Sequence, residues 1–567
     1  MTNIKNIVIL TRQKKYSNLK STKYLFLLIF ILLFSGSNFA FQNESDKLPR
    51  PKLVVGIVID QMRWDYLYRY YERYGSDGFK RLLDEGFSNE NTYISHLPTS
   101  TGIGHSTIYT GSVPAVHGIT GNSFTFNSTG KGVNCVGDVN VQSIGTSSND
   151  GQKSPVNLLV NTIGDELKLA TNFRSKVIGI AIKDRGAILP AGHAADAAYW
   201  LNYKRGKWIT STYYMDKLPQ WVDSFNAQNL AEKYLAGDWN TIYDINTYAQ
   251  STADNKPYEG LLKGQESPTF PIKTSELYTS EDYSVITGTP FGNSLTLDFA
   301  KKAIEEEELG ARGETDLLAV SLSSTDAVGH RLGINSIEVE DTYLRLDKDI
   351  AEFLNYLDKT QGKGNYTVFL TADHGAAHNT QFLQEHKMPV YPADLSMMKK
   401  EMNELLEEKF QIKDVIRNVG ASMVRFNYKL INENKLDEQE IRDVCMEYLR
   451  RDPDVLFVVD FNKVGDAAIP EEIKSRMVNS HHPERSGGIQ YILNPNSGPS
   501  TQKGTSHSNW NPYDAKIPLV WMGWGIKKGG RSVKQVHMTD IAPTVSSLLR
   551  IQPPNGNIGK ALNEVLD

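Results

Sequence analysis

Short apolar runs that end near an acidic residue constrain this chain more than any other feature. Three such runs are rich in β-branched residues, which is typical of buried parallel strands. They are Lys52–Ile59 before Asp60, Asp316–Leu322 before Asp326, and Tyr366–Leu370 before Asp373. Because the carboxyl ends of parallel strands meet at one edge of an open α/β sheet, we expect these acids to converge there.

Residues that can bind a metal ion follow these runs. The seven candidates are Asp60, Thr101, Asp326, His330, Asp373, His374 and His507. A buried carboxylate is costly without a cation partner, and imidazole with carboxylate but no thiolate fits zinc better than magnesium or calcium. Asp326 and His330 are one helical turn apart and would share one face of a helix. Seven ligands exceed one tetrahedral site, so we expect two Zn²⁺ ions about 4 Å apart.

Five motifs carry these candidates in a fixed order. They read Ile-Asp60-Gln-Met-Arg-Trp-Asp, Pro98-Thr-Ser-Thr101-Gly-Ile-Gly-His, Ser-Thr-Asp326-Ala-Val-Gly-His330, Ala-Asp373-His374-Gly and Gly504-Thr-Ser-His507. In this order the chain resembles the alkaline phosphatase superfamily. Two more segments, Ile182-Lys183-Asp-Arg185-Gly-Ala-Ile-Leu-Pro-Ala-Gly-His and Asn509-Trp-Asn-Pro-Tyr-Asp514, make it similar to the bacterial phosphate-irrepressible alkaline phosphatases of the PafA type. The resemblance implies an α/β fold: a central, mostly parallel sheet flanked by helices, with inserted cap subdomains.

The resemblance also implies a role for each candidate. Asp326, His330 and His507 would hold one zinc ion, and Asp60, Asp373 and His374 would hold the other. Thr101 would bridge to the second ion and act as the nucleophile, forming a covalent phosphothreonine. Ser100 is the alternative nucleophile, but the register of the motif selects Thr101. The loop around Thr101 also leads into a predicted helix N-terminus, where backbone N–H groups favour an anion.

Two basic residues bear on the substrate. Lys183 and Arg185 are two positions apart after an apolar segment, so in an extended chain both would point to one phosphoryl group. The alternative for this pair is a solvated strand end or a salt bridge with Asp184. Asn122 can donate its amide to the same oxygens. By the resemblance these three residues contact the transferred phosphoryl group, which implies an enzyme acting on small-molecule phosphate monoesters.

Rival functions within the superfamily differ in these same residues. A phosphodiesterase or nucleotide pyrophosphatase would share the ligands and Thr101 but is expected to lack Lys183 and Arg185. A sulfatase would carry a Cys/Ser-x-Pro-x-Arg motif where this chain has Thr101-Gly-Ile-Gly-His. A phosphomutase is usually cytoplasmic, and an exported zinc-binding protein without turnover would have lost a ligand or the nucleophile.

Most remaining histidines are interpreted as structural, and His481 and His482 as part of a loop. The structural group comprises His105, His117, His193, His378 and His537.

The N-terminus predicts export. Lysines precede the apolar run Tyr24–Phe34, which is too short for a comfortable membrane span, so residues 1–40 are predicted to be a signal peptide. The mature enzyme would then be periplasmic or secreted and would have no stable membrane span. Uncleaved, the run would act as an anchor.

The rest of the chain, 41–567, is predicted to be one catalytic domain with insertions at about 200–290 and 385–490. The net charge of −5, without a basic stripe, argues against a dedicated nucleic-acid partner. The sequence leaves open the pairing of Cys135 with Cys445 and the oligomeric state, a monomer included.

Overall fold

The predicted strands lie at the centre of a ten-stranded sheet. The computed structural model describes residues 48–420, 422–498 and 502–567, so the predicted signal peptide lies outside the described residues. The strands, in chain order, are β1 (Leu53–Ile59), β2 (Phe87–Asn89), β3 (Thr92–Tyr93), β4 (Ser123–Thr125), β5 (Gly132–Asn134), β6 (Ser143–Ile144), β7 (Val177–Ala181), β8 (Ala197–Asn202), β9 (Lys207–Ser211), β10 (Asp316–Leu322), β11 (Tyr366–Thr371), β12 (Ile416–Val419), β13 (Met423–Phe426), β14 (Val455–Asp460), β15 (Ile489–Leu493), β16 (Lys516–Ile517), β17 (Leu519–Gly523), β18 (Gly530–Ser532) and β19 (Val536–His537).

The centre of the main sheet is parallel and its flanks are largely antiparallel. The strand order is β18-β2-β17-β11-β1-β10-β7-β8-β9-β6. From β11 to β8 all neighbours run parallel, whereas β17 and β9 join antiparallel. Every residue of β1, β10 and β11 is buried, as expected for strands covered on both faces. The carboxyl ends of the parallel strands therefore share one edge of the sheet.

Helices cover both faces of this sheet and carry several site residues. In chain order they are α1 (Tyr66–Arg69), α2 (Phe79–Glu85), α3 (Thr101–Thr110), α4 (Pro114–His117), α5 (Ile163–Ala170), α6 (Asp184–Ala191), α7 (Gln220–Ala227), α8 (Leu230–Ala236), α9 (Phe291–Glu306), α10 (Ser324–Leu332), α11 (Ile337–Gln361), α12 (Thr380–Glu385), α13 (Leu395–Phe410), α14 (Tyr428–Glu433), α15 (Glu438–Arg451), α16 (Glu471–Ser480), α17 (Pro512–Ala515) and α18 (Ile541–Leu549). Within the described ranges, no helix combines the length and apolarity needed to cross a bilayer.

A second sheet with its own core lies inside the range 385–490 and just beyond it. The sheet is antiparallel, with the order β12-β13-β15-β14. Helices α13 and α15 supply Met402, Leu406 and Ile441 to its apolar core. The amphipathic spacing of these helices accounts for the burial, because one face of each is apolar.

The aromatic range 200–290 divides into two parts. Its start belongs to the main sheet, since β8 and β9 pair with each other and β8 pairs with β7. Trp208 is buried there and stacks on Phe299 at a ring distance of 4.3 Å. After β9 the chain forms α7, α8 and loops. The two cysteines are free and lie in different cores, Cys135 in one near β5 and Cys445 in that of the second sheet.

Candidate active site

Three of the predicted ligands lie just after the ends of two adjacent central strands. Asp60 follows the last residue of β1, and Asp373 and His374 come two and three residues after the end of β11. The two strands are paired in parallel with Val58 opposite Thr371, so their ends lie side by side. All three side chains have 0% exposure. We refer to Asp60, Asp373 and His374 as the inner group.

The inner group presents three buried atoms that have no hydrogen-bond partner. They are Asp60 Oδ1, Asp373 Oδ2 and His374 Nε2. His374 Nε2 lies 3.5 Å from each of the two carboxylate oxygens. Buried polar atoms are nearly always partnered, so three that converge on one point fit a bound cation. The chemistry of this donor set, two carboxylates and one imidazole, matches a zinc ion.

A second set of predicted ligands adjoins the first. Asp326 and His330 lie one turn apart on α10, and His507 comes from the loop before α17. Asp326 Oδ1 is 3.1 Å from His330 Nε2 and 3.8 Å from His507 Nε2, and the two imidazole Nε2 atoms are 3.2 Å apart. We refer to these three residues as the outer group. The His374 ring stacks on that of His507 at 3.6 Å, so the two groups are contiguous.

Electrostatics in the site reflect this concentration of acids. Burial, with the charges of Asp326 and Asp373, raises the pKa of Asp60 well above its usual value. Burial also opposes ionisation of Asp326, but the charges of Lys183 and His330 hold its pKa well below the usual value. Burial lowers the pKa of both His374 and His507, which keeps these rings neutral. Neutral imidazoles beside carboxylates are the form in which a metal is bound.

Backbone carbonyls orient all three imidazoles. His374 Nδ1 lies 3.0 Å from Gly375 O, His330 Nδ1 lies 2.9 Å from Thr505 O, and His507 Nδ1 lies 2.6 Å from Thr99 O. A ring nitrogen that faces a carbonyl carries a hydrogen, so in each ring Nε2 is the nitrogen left to bind a metal ion once it is deprotonated. Metal-binding histidines are commonly held in this way.

Thr101 begins α3 and lies against the inner group. Its side chain is 1% exposed, and the first turn of α3 packs so closely on Asp373 that a Cβ on Gly104 would lie 2.7 Å from the Asp373 Cβ. The amide of Asn122 is held at the same helix start, because Gly102 N–H donates to its Oδ1 at 2.8 Å. The Asn122 NH₂ group is therefore the part of that side chain left to contact a ligand.

Lys183 and Arg185 adopt a different local structure from the one predicted. Strand β7 ends at Ala181, Lys183 caps α6, and Arg185 lies in its first turn, so the pair is not in an extended segment. The acidic Asp184 at the helix start stabilises this arrangement. The Lys183 ammonium bonds Asp60 Oδ2 at 2.6 Å and Asp326 Oδ2 at 2.5 Å. Arg185 has a long ion pair with Asp184, 3.8 Å, and its buried Nε has no hydrogen-bond partner.

Comparison with known proteins identifies the family of this chain. The family model for type I phosphodiesterase / nucleotide pyrophosphatase matches residues 54–514. Alkaline phosphatase PafA of Elizabethkingia meningoseptica is 50% identical over 95% of this chain and 98% of its own. The crystal structure of wild-type PafA superposes with a TM-score of 0.90 and covers 92% of this chain and 100% of its own. This chain belongs to the PafA-type alkaline phosphatases.

Two further relatives extend the comparison of this PafA-type chain. Alkaline phosphatase PhoV of Synechococcus elongatus is 53% identical over 91% of this chain and 93% of its own. A protein of Myroides odoratus named calcium-transporting ATPase is 54% identical over 92% of this chain and 96% of its own. The predicted family, fold class and assignment to the phosphatase enzymes are confirmed by these matches.

Several residues around the PafA-type site were not singled out from the sequence. Gln61 donates its backbone N–H to Asp373 Oδ1 at 3.1 Å and its amide to Asp326 Oδ1 at 2.7 Å, linking the two groups. It does so with a φ of 67°, a strained conformation that is found at functional sites. His105, interpreted as structural, lies 3.4 Å from Asp373 Oδ2 and 2.9 Å from Thr101 O. Gln61 and His105 lie in the same motifs as Asp60 and Thr101, and this was the signal in the sequence that could have identified them.

Two other histidines predicted to be structural lie in ordinary contacts. His117 Nδ1 accepts from Ile119 N at 3.1 Å, and His378 Nδ1 lies 2.9 Å from Asn335 Oδ1. His481 stacks on Phe461 at 3.8 Å, and His482 Nδ1 accepts from Glu484 N in the loop after α16.

Proposed function

We propose that this enzyme hydrolyses small-molecule phosphate monoesters with two zinc ions and Thr101 as the nucleophile. The observation that carries the proposal is the position of the Lys183 ammonium, which is within 2.6 Å of one carboxylate from each metal group. A phosphoryl group bound across both groups would meet this fixed positive charge. A monoester carries one more non-bridging charge than a diester, so it gains more from the cation.

The two ions would be held by the residues of the inner and outer groups. Asp60, Asp373 and His374, with Thr101, would bind one zinc, and Asp326, His330 and His507 would bind the other. The carboxylate and imidazole donors without thiolate support zinc. When bound, such ions lower the pKa of a hydroxyl group and polarise phosphoryl oxygens.

Thr101 would carry the phosphoryl group between the two half-reactions. Its Oγ attacks phosphorus, the bond from phosphorus to the alcohol oxygen breaks, the proton of the threonine hydroxyl passes to the departing alcohol, and a phosphothreonine is formed. A water oxygen then attacks phosphorus, the bond to Thr101 Oγ breaks, and inorganic phosphate leaves while the threonine hydroxyl is restored. The place of Thr101 at the start of α3 supports this role, because the first turn of that helix packs on Asp373 of the inner group.

Asn122, Lys183 and Arg185 would hold the non-bridging oxygens. All three side chains are hydrogen-bond donors: the Lys183 ammonium and the Arg185 guanidinium are also positively charged, whereas the Asn122 NH₂ is neutral. A solved PafA mutant supports the choice, since it replaces a threonine, an asparagine, a lysine and an arginine. These four occur in the same order, and with the same separation inside each pair, as Thr101 with Asn122 and Lys183 with Arg185.

We further propose that the enzyme acts outside the cytoplasm, as a periplasmic or secreted protein. The support is the run of lysines and apolar residues in 1–40, which has the composition of a signal peptide.

A phosphodiesterase is the second candidate, favoured by the description of the matching family model. The name of the Myroides relative includes an ATPase activity. The terminal phosphoryl group of ATP resembles that of a phosphate monoester in its charge. Hydrolysis of ATP to ADP and phosphate is therefore compatible with the proposal.

The deciding experiment compares p-nitrophenyl phosphate with bis-p-nitrophenyl phosphate on zinc-loaded enzyme, before and after chelation. We expect kcat/KM to favour the monoester by at least about 100-fold, as one charge in a desolvated site is worth a few kcal/mol. A ratio below one would assign the enzyme to the phosphodiesterases. Activity that survives complete zinc removal would overturn the metal assignment.

A further inference from the structure

The loop 481–488, between α16 and β15, packs on the chain segment that carries Asn122. Arg485 lies in this loop and is 6% exposed. Its Nη1 donates a hydrogen bond to Gly118 O at 2.8 Å, and its own carbonyl accepts one from the Thr120 hydroxyl at 2.9 Å. Arg485 therefore holds the chain just before Asn122 through both its side chain and its backbone.

The Arg485 guanidinium also contacts the chain just after Asn122. It lies over the Phe124 ring at 4.9 Å and over the Phe126 ring at 5.3 Å, measured to the ring centres. The attraction between a cation and an aromatic face is strongest where water is excluded, as it is for this buried side chain. Thr120 and Phe124 are each two positions from Asn122, so Arg485 contacts both sides of that residue.

The loop 481–488 also holds the turn of the β4–β5 hairpin. Asn127 N–H donates to Glu484 O at 2.8 Å, and Ser128 N–H donates to Glu484 Oε1 at 2.9 Å. Asn122 directly precedes β4, so its backbone is continuous with this hairpin. The position of the hairpin, and with it that of Asn122, therefore depends on the loop.

The direction of the Asn122 amide is set by other contacts. Its Oδ1 accepts from Gly102 N–H at 2.8 Å, and its backbone O accepts from Cys135 N–H at 3.0 Å. These bonds orient the NH₂ group, whereas the loop places the backbone. Because a hydrogen bond weakens steeply when it is misaligned, a small shift of the Asn122 backbone would weaken its contact with a phosphoryl oxygen.

We propose that Arg485 is a positioning residue for the reaction, because it holds Asn122 where the NH₂ group bonds a non-bridging phosphoryl oxygen. The inference rests on the proposed function, in which Asn122 makes that contact. Arg485 acts through Asn122 and not on the substrate, so no chemical step changes. The predicted insertion 385–490 then contributes to catalysis, although all seven predicted metal ligands lie outside it.

A double-mutant cycle tests this role, because the effect of a positioning residue depends on the residue that it positions. Thr120→Val removes the hydroxyl that bonds Arg485 O and keeps the shape of the side chain, whereas Arg485→Met removes the guanidinium. Each change is made in the wild type and in Asn122→Ala, and kcat/KM is measured for p-nitrophenyl phosphate. The matched control is Thr274→Val, since Thr274 is also buried and its hydroxyl donates to a carbonyl, Leu235 O, at 2.6 Å.

We expect Arg485→Met to lower kcat/KM about tenfold and Thr120→Val about fivefold in the wild-type background, the range for the loss of one or two hydrogen bonds. In the Asn122→Ala background both changes should cost less than about twofold. Thr120→Ser, which keeps the hydroxyl, should retain most of the activity. Thr274→Val should have no effect in either background, and the zinc content of every variant should equal that of the wild type.

Equal losses in the two backgrounds would overturn the inference, because they would show a general effect on folding. An unchanged kcat/KM in both Thr120→Val and Arg485→Met would overturn it as well. Arg485→Met also removes the donor to Asn157 O, a bond of 2.7 Å, so if this variant does not fold, the cycle with Thr120→Val decides alone. If Asn122→Ala is as active as the wild type, the proposed role of Asn122 itself fails, and Arg485 has no catalytic residue to position.

Discussion

The inner and outer groups contain similar side chains but are built differently. The inner group lies at the ends of two paired central strands, and all its side chains have 0% exposure. The outer group joins one helix, α10, to a distant loop, and the His330 side chain is 39% exposed. The inner group is therefore fixed by the sheet, whereas the outer group depends on the contacts that hold the His507 loop.

Three contacts of that loop come from Thr99, two residues before Thr101. Thr99 O accepts from His507 Nδ1, Thr99 Oγ1 accepts from Ser508 N–H at 3.1 Å, and the Thr99 hydroxyl donates to Asn509 O at 3.1 Å. The segment that leads into Thr101 therefore also anchors the outer group. Since His507 is positioned by loop contacts rather than by the sheet, we expect the outer group to bind its ion more weakly than the inner group.

Removal of the nucleophile should have the largest effect on activity. In Thr101→Ala we expect kcat for p-nitrophenyl phosphate to fall by about 1000-fold or more, because no covalent intermediate can form. Zinc content should stay near that of the wild type, as the other ligands remain. Thr101→Ser, which keeps a hydroxyl, should retain far more activity. A Thr101→Ala variant with near wild-type turnover would refute the role of the residue.

Removal of the two cations should separate monoesters from diesters. The double variant Lys183→Ala with Arg185→Ala should lose about 100-fold in kcat/KM for p-nitrophenyl phosphate. The loss for bis-p-nitrophenyl phosphate should be much smaller, because that substrate carries less charge. Arg205→Ala, which removes an exposed ion pair with Glu281, is the control and should affect neither. Equal losses on both esters would contradict the assignment.

Release of the His507 loop should weaken zinc binding by the outer group alone. Thr99→Val removes the hydroxyl that contacts Ser508 and Asn509, and we expect about tenfold weaker binding of one of the two zinc ions. Competition with a chromophoric chelator measures each affinity. Thr99→Ser should restore the wild-type value, since it keeps the hydroxyl. Equal weakening of both ions would show that the loop does not act on the outer group specifically.

Local patterns were sufficient to predict the strands and the acids at their ends. The runs before Asp60, Asp326 and Asp373 became β1, β10 and β11, with boundaries shifted by no more than one residue. Helix α13 (Leu395–Phe410) lies inside the range 385–490 that was predicted to be an insertion. Hydrophobic periodicity and turn residues are local properties, so they can be recognised in a single sequence.

Contacts between distant segments could not be predicted in this way. The link from Gln61 to Asp326 and Asp373 and that from Thr99 to His507 depend on how separate segments pack. The prediction that Lys183 and Arg185 lie in an extended segment was wrong for a related reason. An apolar run followed by polar residues fits both a longer strand and a strand that gives way to a helix, and packing of α6 on β7 selects the helix.

The central claim of two separable metal groups is tested most directly by zinc stoichiometry. Enzyme loaded with excess zinc and desalted should contain two zinc ions per chain by inductively coupled plasma mass spectrometry, as seven ligands require. His330→Ala, which alters only the outer group, should contain about one. The ring of His374 borders both groups, so the His374→Ala variant should contain less than one zinc ion per chain. A wild type with a single zinc, or a His330→Ala variant that still binds two, would contradict the account.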